Sequence, residues 1–277
     1  MARILIIRFS ALGDVAMTIP VIHSLAVQYP QHEITVLSRA VWQPLFQGLP
    51  TNVGFVGADL TGKHKGLWGL NSLYSELKAM HFDYIADFHH VLRSKYLCLR
   101  FRLANKPVAS ICKGRAGKKK LVRRHDKVME NQKSSFRRYA DVLEKLGLPV
   151  LLNFSSIYGE GKGNFAEIEP VTGPKEGQKW IGIAPFAKHI GKIYPLELQE
   201  QVIAHFAANP QVKVFLFGGG KNEQEVFDAW IAKYPSVVSM IGKLNMRTEL
   251  NLMSHLDVML SMDSALSLIH ISEPTRP

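Results

Sequence analysis

Ala2-Arg3-Ile4-Leu5-Ile6-Ile7-Arg8-Phe9-Ser10-Ala11-Leu12-Gly13-Asp14-Val15 is the stretch of sequence that decides the fold. It begins with an apolar run rich in β-branched residues and continues into a short turn of small residues. A helical pattern follows at once, marked by Ile19, Ile22 and Leu25. This order predicts a buried strand that ends in a tight loop at a helix N-terminus, where open α/β sheets build their sites. Gly13 is expected to let the backbone turn closely.

Asp14 lies at the carboxyl end of that predicted strand, and two interpretations of it are open. Aspartate often caps a helix, and the helix-start rules favour a cap on spacing alone. A carboxylate at this edge of a parallel sheet also lies where α/β proteins hold their ligands.

The composition is typical of a folded protein with anionic partners. Of 277 residues, 47% are hydrophobic and 21% charged, and 34 Lys and Arg against 23 Asp and Glu give a net charge of +11. Such a surface favours nucleic acid, phosphorylated ligands or an acidic membrane. Two cysteines exclude a disulfide framework, and no apolar run has the length of a membrane span or of a signal-peptide core. We therefore expect a cytoplasmic protein.

Strand and helix patterns alternate along most of the chain. Strands are predicted near 33–38, 53–56, 82–88, 108–111, 180–185, 212–217, 237–241 and 258–261. Helices are predicted near 70–80, 92–103, 136–146, 196–207, 223–233 and 248–254. This alternation predicts an α/β fold with parallel sheets and helices on both faces. Residues 158–178, rich in Gly, Glu, Pro and Lys, are predicted to link two Rossmann-like domains, 1–157 and 179 onward.

The most charged stretch, residues 113–127, is called the basic segment below. It lacks apolar periodicity, so it is predicted to be an exposed, mobile loop. It is interpreted either as a set of solvated charges or as a clamp for an anionic acceptor, and the absence of aromatic residues argues against base stacking.

Residues suited to phosphate binding follow three predicted strands of the second half. Lys188 and Lys192 follow one strand, the glycines 218–220 a second, and Asp263-Ser264-Ala265 a third. Backbone amides and a cation at such places can meet phosphate oxygens. Each feature is weak alone, but at successive strand ends of one sheet they predict a nucleotide cleft. The glycines do not form the GxGxxG pattern of dinucleotide sites.

Other chemistries lack support. The chain contains no HExxH, paired CxxC or GxSxG motif, which argues against zinc and serine hydrolases. His89 and His90 are adjacent, and in an extended segment they would point to opposite faces, which is a poor geometry for one metal.

Six motifs, in order, match a known family. They are Ser10-Ala11-Leu12-Gly13-Asp14; Phe82-Asp83-Tyr84-Ile85-Ala86-Asp87 leading to Leu92-Arg93-Ser94; Lys192-Ile193-Tyr194-Pro195; Phe217-Gly218-Gly219 with Glu223; Ile241-Gly242-Lys243; and Asp263-Ser264-Ala265. With them the chain resembles the bacterial lipopolysaccharide heptosyltransferases, glycosyltransferase family 9. The resemblance implies a GT-B fold, in which two Rossmann-like parallel-sheet domains face each other across a cleft.

The resemblance also implies a reaction. Heptose would pass with inversion from an ADP-heptose donor to the Kdo or heptose of the lipopolysaccharide inner core. Asp14 resembles a general base that takes the acceptor proton, which is compatible with a capping role, and Lys192 would neutralise the departing diphosphate. Neither a metal nor a cofactor is implied.

The remaining site residues follow from the same resemblance. The donor would contact Lys188, Gly218, Gly219, Glu223, Gly242, Lys243, Asp263, Ser264 and Ala265, with Glu223 on the adenosine portion. The acceptor, an anionic lipid A–Kdo glycolipid, would contact Ser10, Gly13, Arg93, Lys118, Lys119, Lys120, Arg123 and Arg124. This predicts peripheral contact with the inner face of the inner membrane.

Residues 266–277 depart from the family pattern, which continues with a His-bearing helix and further strands. We expect a second domain that is incomplete, 179–265, followed by a non-native tail. Two other functions are left open: a basic α/β protein that binds nucleic acid through the basic segment, and an inactive remnant.

Overall fold

A computed structural model describes residues 1–159, 161–264 and 267–268. The chain divides into two compact units. The first comprises residues 1–11 and 17–154, and the second comprises 12–16 with the described residues from 155 on. Each unit is built around its own parallel sheet.

The first unit contains a five-stranded parallel sheet in the order β3-β2-β1-β4-β5. Its strands are β1 (Arg3–Ile7), β2 (Glu33–Arg39), β3 (Val53–Ala58), β4 (Tyr84–Asp87) and β5 (Val108–Ser110). Ile4 to Ile7 of the central strand are fully buried. A strand covered on both faces reads as a continuous apolar run, which is why the opening stretch predicts it correctly.

Helices cover both faces of this sheet. The covering helices are α2 (Ile19–Gln28), α3 (Gly66–Ala79), α4 (Leu92–Leu103) and α6 (Ser135–Glu144). Helix α5 (Arg115–Leu121) buries no residue, and the short α1 (Leu12–Ala16) groups with the second unit. Apolar residues of α3 and α4 pack with Leu5 and Ile7 of β1. Ile4 and Ile6 alternate with these residues and face the side covered by α2 and α6.

The second unit contains a four-stranded parallel sheet in the order β8-β7-β6-β9. Its strands are β6 (Lys179–Ala184), β7 (Val212–Leu216), β8 (Val237–Ser239) and β9 (Val258–Ser261), and its helices are α7 (Glu169–Thr172), α8 (Leu196–Ala207), α9 (Lys221–Lys233) and α10 (Met246–His255). The core joins Ile183, Val214 and Leu216 of the strands to Ile203 of α8 and Phe227 of α9.

The segment predicted as a linker is structured in the described residues. It holds a 3-10 turn at Phe165–Glu167 followed by α7, with Ile168 fully buried. Lys175 donates to the Asp257 carboxylate at 2.8 Å, which ties the segment to the second unit. The composition of 158–178 indicates turns, but it hides these few anchoring residues. The contacts divide the chain at residues 154 and 155.

The basic segment also differs from the prediction, since it contains the helix α5. Gly114 precedes that helix in the left-handed region (φ 61°), and Ala and Lys are good helix formers. None of its residues is buried, so no apolar stripe marks the helix in the sequence. In the part of the chain that the structure describes, no helix has both the length and the apolarity to cross a membrane.

Candidate functional site

The parallel topology collects the predicted residues at the carboxyl ends of the strands. In the first sheet, Ser10 follows β1, Arg93 follows β4 and the basic segment follows β5. These three strands are neighbours in the order β1-β4-β5. The predicted acceptor residues of the first unit therefore follow adjacent strands at one edge of the sheet.

Ser10 lies in a hydrogen-bonded network that sequence analysis missed. Its Oγ is 3.4 Å from Nε2 of His89, whose Nδ1 accepts from the backbone N of Phe9 at 3.4 Å. The fully buried Asp87 accepts at Oδ1 from the backbone N of His89 and His90, at 3.0 and 2.8 Å. His89 thus holds the loop after β1 against the loop after β4. The register, which pairs Ile7 with Asp87, creates this contact.

Asp14 lies within helix α1 rather than before it. The helix begins at Leu12, so Asp14 occupies its first turn, where a carboxylate interacts favourably with the helix dipole. The side chain is half-buried. Gly13 has no positive φ. A Cβ at this position would collide with Cδ1 of Leu268, so the residue is closely packed.

The five basic residues predicted for the acceptor are all exposed. Lys118, Lys119 and Lys120 lie on α5, and Arg123 and Arg124 follow it. Within the described ranges, none of the five forms an ion pair with a carboxylate. Their charge is therefore available to an external anion. Arg93 in the first turn of α4 is likewise exposed.

The predicted donor residues follow all four strands of the second sheet. Along the edge, Gly242 and Lys243 follow β8, Gly218, Gly219 and Glu223 follow β7, Lys188 and Lys192 follow β6, and Asp263 and Ser264 follow β9. The topology therefore brings the predicted nucleotide-binding residues to one edge. Ala265 lies outside the described residues.

Lys192 and Asp263 form an ion pair at this edge. Nζ of Lys192 lies 2.5 Å from Oδ2 of Asp263, and both side chains remain partly exposed. A cavity of about 500 Å³ adjoins the pair and is lined by Lys192, Tyr194, Gln199 and Met262 among others. A solvent-exposed ion pair contributes little stability, so an incoming polyanion can compete for the lysine.

Glu223 closes the glycine loop after β7. Its Oε2 accepts from the backbone N of Gly219 at 2.7 Å. A Cβ at Gly218 would lie 2.6 Å from that oxygen and 3.1 Å from the Phe227 ring. A side chain at position 218 would therefore displace the Glu223 carboxylate and press on the Phe227 ring, and Glu223 itself lies in the first turn of α9.

The other predicted donor residues have simpler surroundings. Gly242 has φ 72°, a turn conformation that favours glycine. Lys188 and Lys243 are exposed. The backbone N of Ser264 donates to Ser267 Oγ at 3.2 Å.

Glu249, like His89, is a residue near the predicted site that the sequence alone does not assign to it. It lies in the first turn of α10, which follows β8 at the same sheet edge. Burial raises the pKa of Glu249 to about 7, because the desolvated carboxylate is costly to ionise. A single acidic residue in a helical pattern gives no sequence signal of this burial.

Comparison with known proteins shows which family and which solved structures the chain is similar to. The profile of glycosyltransferase family 9 (heptosyltransferase) matches residues 70–273. The structure of E. coli heptosyltransferase WaaC with ADP-2-deoxy-2-fluoro heptose is similar, with 15% identity, a TM-score of 0.72, and coverage of 99% of this chain and 90% of WaaC. No curated protein matches the chain by sequence.

Two further solved structures share the fold. A family 9 glycosyl transferase from Veillonella parvula is 19% identical, with a TM-score of 0.74 and coverage of 98% of this chain and 78% of its own. E. coli ADP-heptose lps heptosyltransferase II is 18% identical, with a TM-score of 0.62 and coverage of 98% and 81%. The predicted α/β fold of GT-B type is confirmed. Because the family profile spans most of the chain, the protein belongs to glycosyltransferase family 9, the heptosyltransferase family.

Proposed function

We propose that this glycosyltransferase transfers a heptose, with inversion, from an ADP-heptose-type donor to the Kdo or heptose inner core of lipopolysaccharide. The observation that carries the proposal is the family match over residues 70–273, which includes Lys192, Glu223 and Asp263 at neighbouring strand ends. The E. coli WaaC structure, which holds an ADP-heptose analogue, supports the same class of donor.

In the proposed reaction the second unit binds the donor. The diphosphate carries more negative charge than the Asp263 carboxylate, so it takes Lys192 Nζ and releases Asp263 toward the sugar. Lys192 then stabilises the negative charge that develops on the departing diphosphate. The amide-rich loop at Gly218 and Gly219, held by Glu223, contributes to binding of the adenosine portion.

Asp14 acts as the general base in this proposal. It removes the proton from the acceptor hydroxyl as that oxygen attacks the anomeric carbon, while the bond to the diphosphate breaks through an oxocarbenium-like state. The family profile begins at residue 70, so this role rests on the resemblance of residues 10–14 and on their position after β1.

The acceptor in this proposal is an anionic lipid A–Kdo glycolipid. The exposed cations of the basic segment meet its carboxylates and phosphates, and Ser10, Gly13 and Arg93 contact the sugar. The protein would accordingly work in the cytoplasm, in peripheral contact with the inner face of the inner membrane.

Replacing Asp14 by Asn tests the proposal. The change keeps the size and removes the base, so release of ADP from ADP-heptose with a deacylated Kdo acceptor should fall by about 10²- to 10⁴-fold. ADP affinity, measured by isothermal titration, should stay at the wild-type value because the nucleotide residues are untouched.

A matched control is Asp83→Asn, which alters an exposed aspartate at the opposite end of the first sheet, bonded to the backbone N of Arg3. It should retain turnover. Full activity of the Asp14→Asn protein would remove Asp14 as base, and failure of the wild type to release ADP with this acceptor would contradict the proposed substrates.

A further inference from the structure

The outer face of α4 carries apolar residues that a solvated helix would ordinarily lack. Leu92, Leu99 and Leu103 expose 86, 52 and 74% of their surfaces. Leu99 follows Leu92 by seven residues, and Leu103 follows Leu99 by four. At 100° per residue, all three side chains therefore lie within about 20° of one line parallel to the helix axis. The opposite side of α4 packs into the core through Leu97 and Phe101, so α4 is apolar on two sides.

Cations border this leucine stripe, which we define as Leu92, Leu99 and Leu103. At 100° per residue, Lys95 and Arg102 lie along one side of the stripe and Arg93 along the other. All three are exposed, and α4 contains no acidic residue.

The fourth cation of α4 is engaged inside the unit. Arg100 Nη1 donates to the Tyr96 hydroxyl at 3.0 Å, and its guanidinium lies 4.4 Å from the centre of the Tyr74 ring. That contact anchors α4 to α3 and fixes the direction in which the stripe points. The exposed charges therefore border the stripe, while the inward one is structural.

We propose that the leucine stripe of α4 docks the protein on an anionic lipid bilayer. Apolar side chains flanked by Lys and Arg are the pattern by which a helix lies in a membrane interface, with leucines below the headgroups and cations among the phosphates. The inference rests on the proposed peripheral membrane contact and names the surface that makes it.

Charge complementarity selects the bilayer over a second copy of the chain. Pairing two α4 faces would bring Arg93, Lys95 and Arg102 against the same cations with no carboxylate on either helix. Like charges at an interface oppose association, whereas anionic headgroups attract all three.

The neighbouring helix α3 also exposes apolar residues. Both α3 and α4 connect parallel strands, so the first turns of both lie at the carboxyl edge of the sheet. The first turn of α3 exposes Leu67 by 69% and Trp68 by 89%. The helices contact each other through the Tyr74 and Phe101 rings, 5.1 Å apart. A bilayer on α4 therefore lies beside the edge where the acceptor is proposed to bind.

Vesicle flotation of the full chain tests the inference. Wild type should bind vesicles of phosphatidylcholine with phosphatidylglycerol, and bind vesicles of phosphatidylcholine alone much less. The triple variant Leu92→Ser, Leu99→Ser and Leu103→Ser should bind the anionic vesicles at least about tenfold more weakly than wild type does. A Lys95→Glu, Arg102→Glu variant should also weaken binding, and added salt should reduce binding of the wild type.

The matched control is Val27→Ser with Leu151→Ser. Both residues are exposed, by 54 and 81%, and Leu151 is held by Gln28 of α2, on the other face of the sheet. This variant should bind vesicles as wild type does. Thermal melting should show that all variants are folded, because every substituted side chain is already exposed.

Three outcomes would overturn the inference: no binding of wild type to anionic vesicles, equal binding by the stripe and control variants, or conversion of a wild-type dimer to a monomer by the stripe variant with vesicle binding unchanged. Transfer to the deacylated, soluble acceptor separates the two proposals. Loss of vesicle binding with that activity retained supports the stripe, while vesicle binding without any transfer supports the stripe and contradicts the proposed function.

Discussion

At the scale of single residues, the loop after β7 allows two neighbouring glycines to be compared. A Cβ at Gly218 would meet the Glu223 carboxylate and the Phe227 ring, whereas a Cβ at Gly219 meets nothing within 4 Å. Gly218→Ala should displace Glu223 from the Gly219 amide. The loop proposed to contact ADP would then lose a hydrogen bond that holds it in place, and ADP binding should weaken by up to about tenfold. Gly219→Ala is the control. Equal ADP affinities by titration calorimetry would contradict a role for this loop.

Glu249 makes stability depend on pH. Its pKa is raised from 4.5 to about 7 in the folded protein, so the folded chain keeps a proton that the unfolded chain releases. The contribution of Glu249 to stability is therefore fully present below pH 4.5 and is lost as pH rises to about 7. Glu249→Gln should remove this fall and stabilise the protein above pH 7, on the order of 1–2 kcal/mol after allowing for solvent screening.

Urea unfolding at several pH values measures this effect. Glu225→Gln, at an exposed glutamate of α9, is the control and should keep the wild-type pH slope. The interpretation would be wrong if the slope between pH 4.5 and 7 were the same in Glu249→Gln as in wild type.

At the scale of elements, the basic segment has a specific expected effect. Neutralising Lys118, Lys119, Lys120, Arg123 and Arg124 together should raise the KM for the anionic acceptor about tenfold or more at low salt, because each exposed cation attracts it. The KM for the donor should not change, and the difference from wild type should shrink in high salt. An unchanged acceptor KM would show that these are only solvated charges.

The elements themselves were largely predictable. The helices predicted at 92–103 and 196–207 are observed at those bounds as α4 and α8. The helical elements that the sequence does not predict either bury few residues or are short. α5 has no buried residue, and Ile168 anchors a segment whose composition indicates only turns.

At the scale of the whole molecule, the net charge of +11 leaves open the alternative of nucleic-acid binding. Titration calorimetry with ADP and with a short DNA duplex separates the two functions. A glycosyltransferase with the proposed nucleotide edge should bind ADP with modest dependence on salt, and should bind the duplex only weakly at physiological salt. Tight duplex binding that falls steeply with salt, without ADP binding, would favour the alternative.

The sequence by itself determined the α/β class, the two sheets and the placing of site residues at strand ends, since these follow from local apolar patterns. Only the tertiary structure decided which residues meet. His89 reaches Ser10 and Lys192 reaches Asp263 across 79 and 71 residues, because parallel pairing joins strands that are distant in the chain. It also decided that Leu97 is buried while Leu99 faces outward, a difference that depends on what packs against each side of α4.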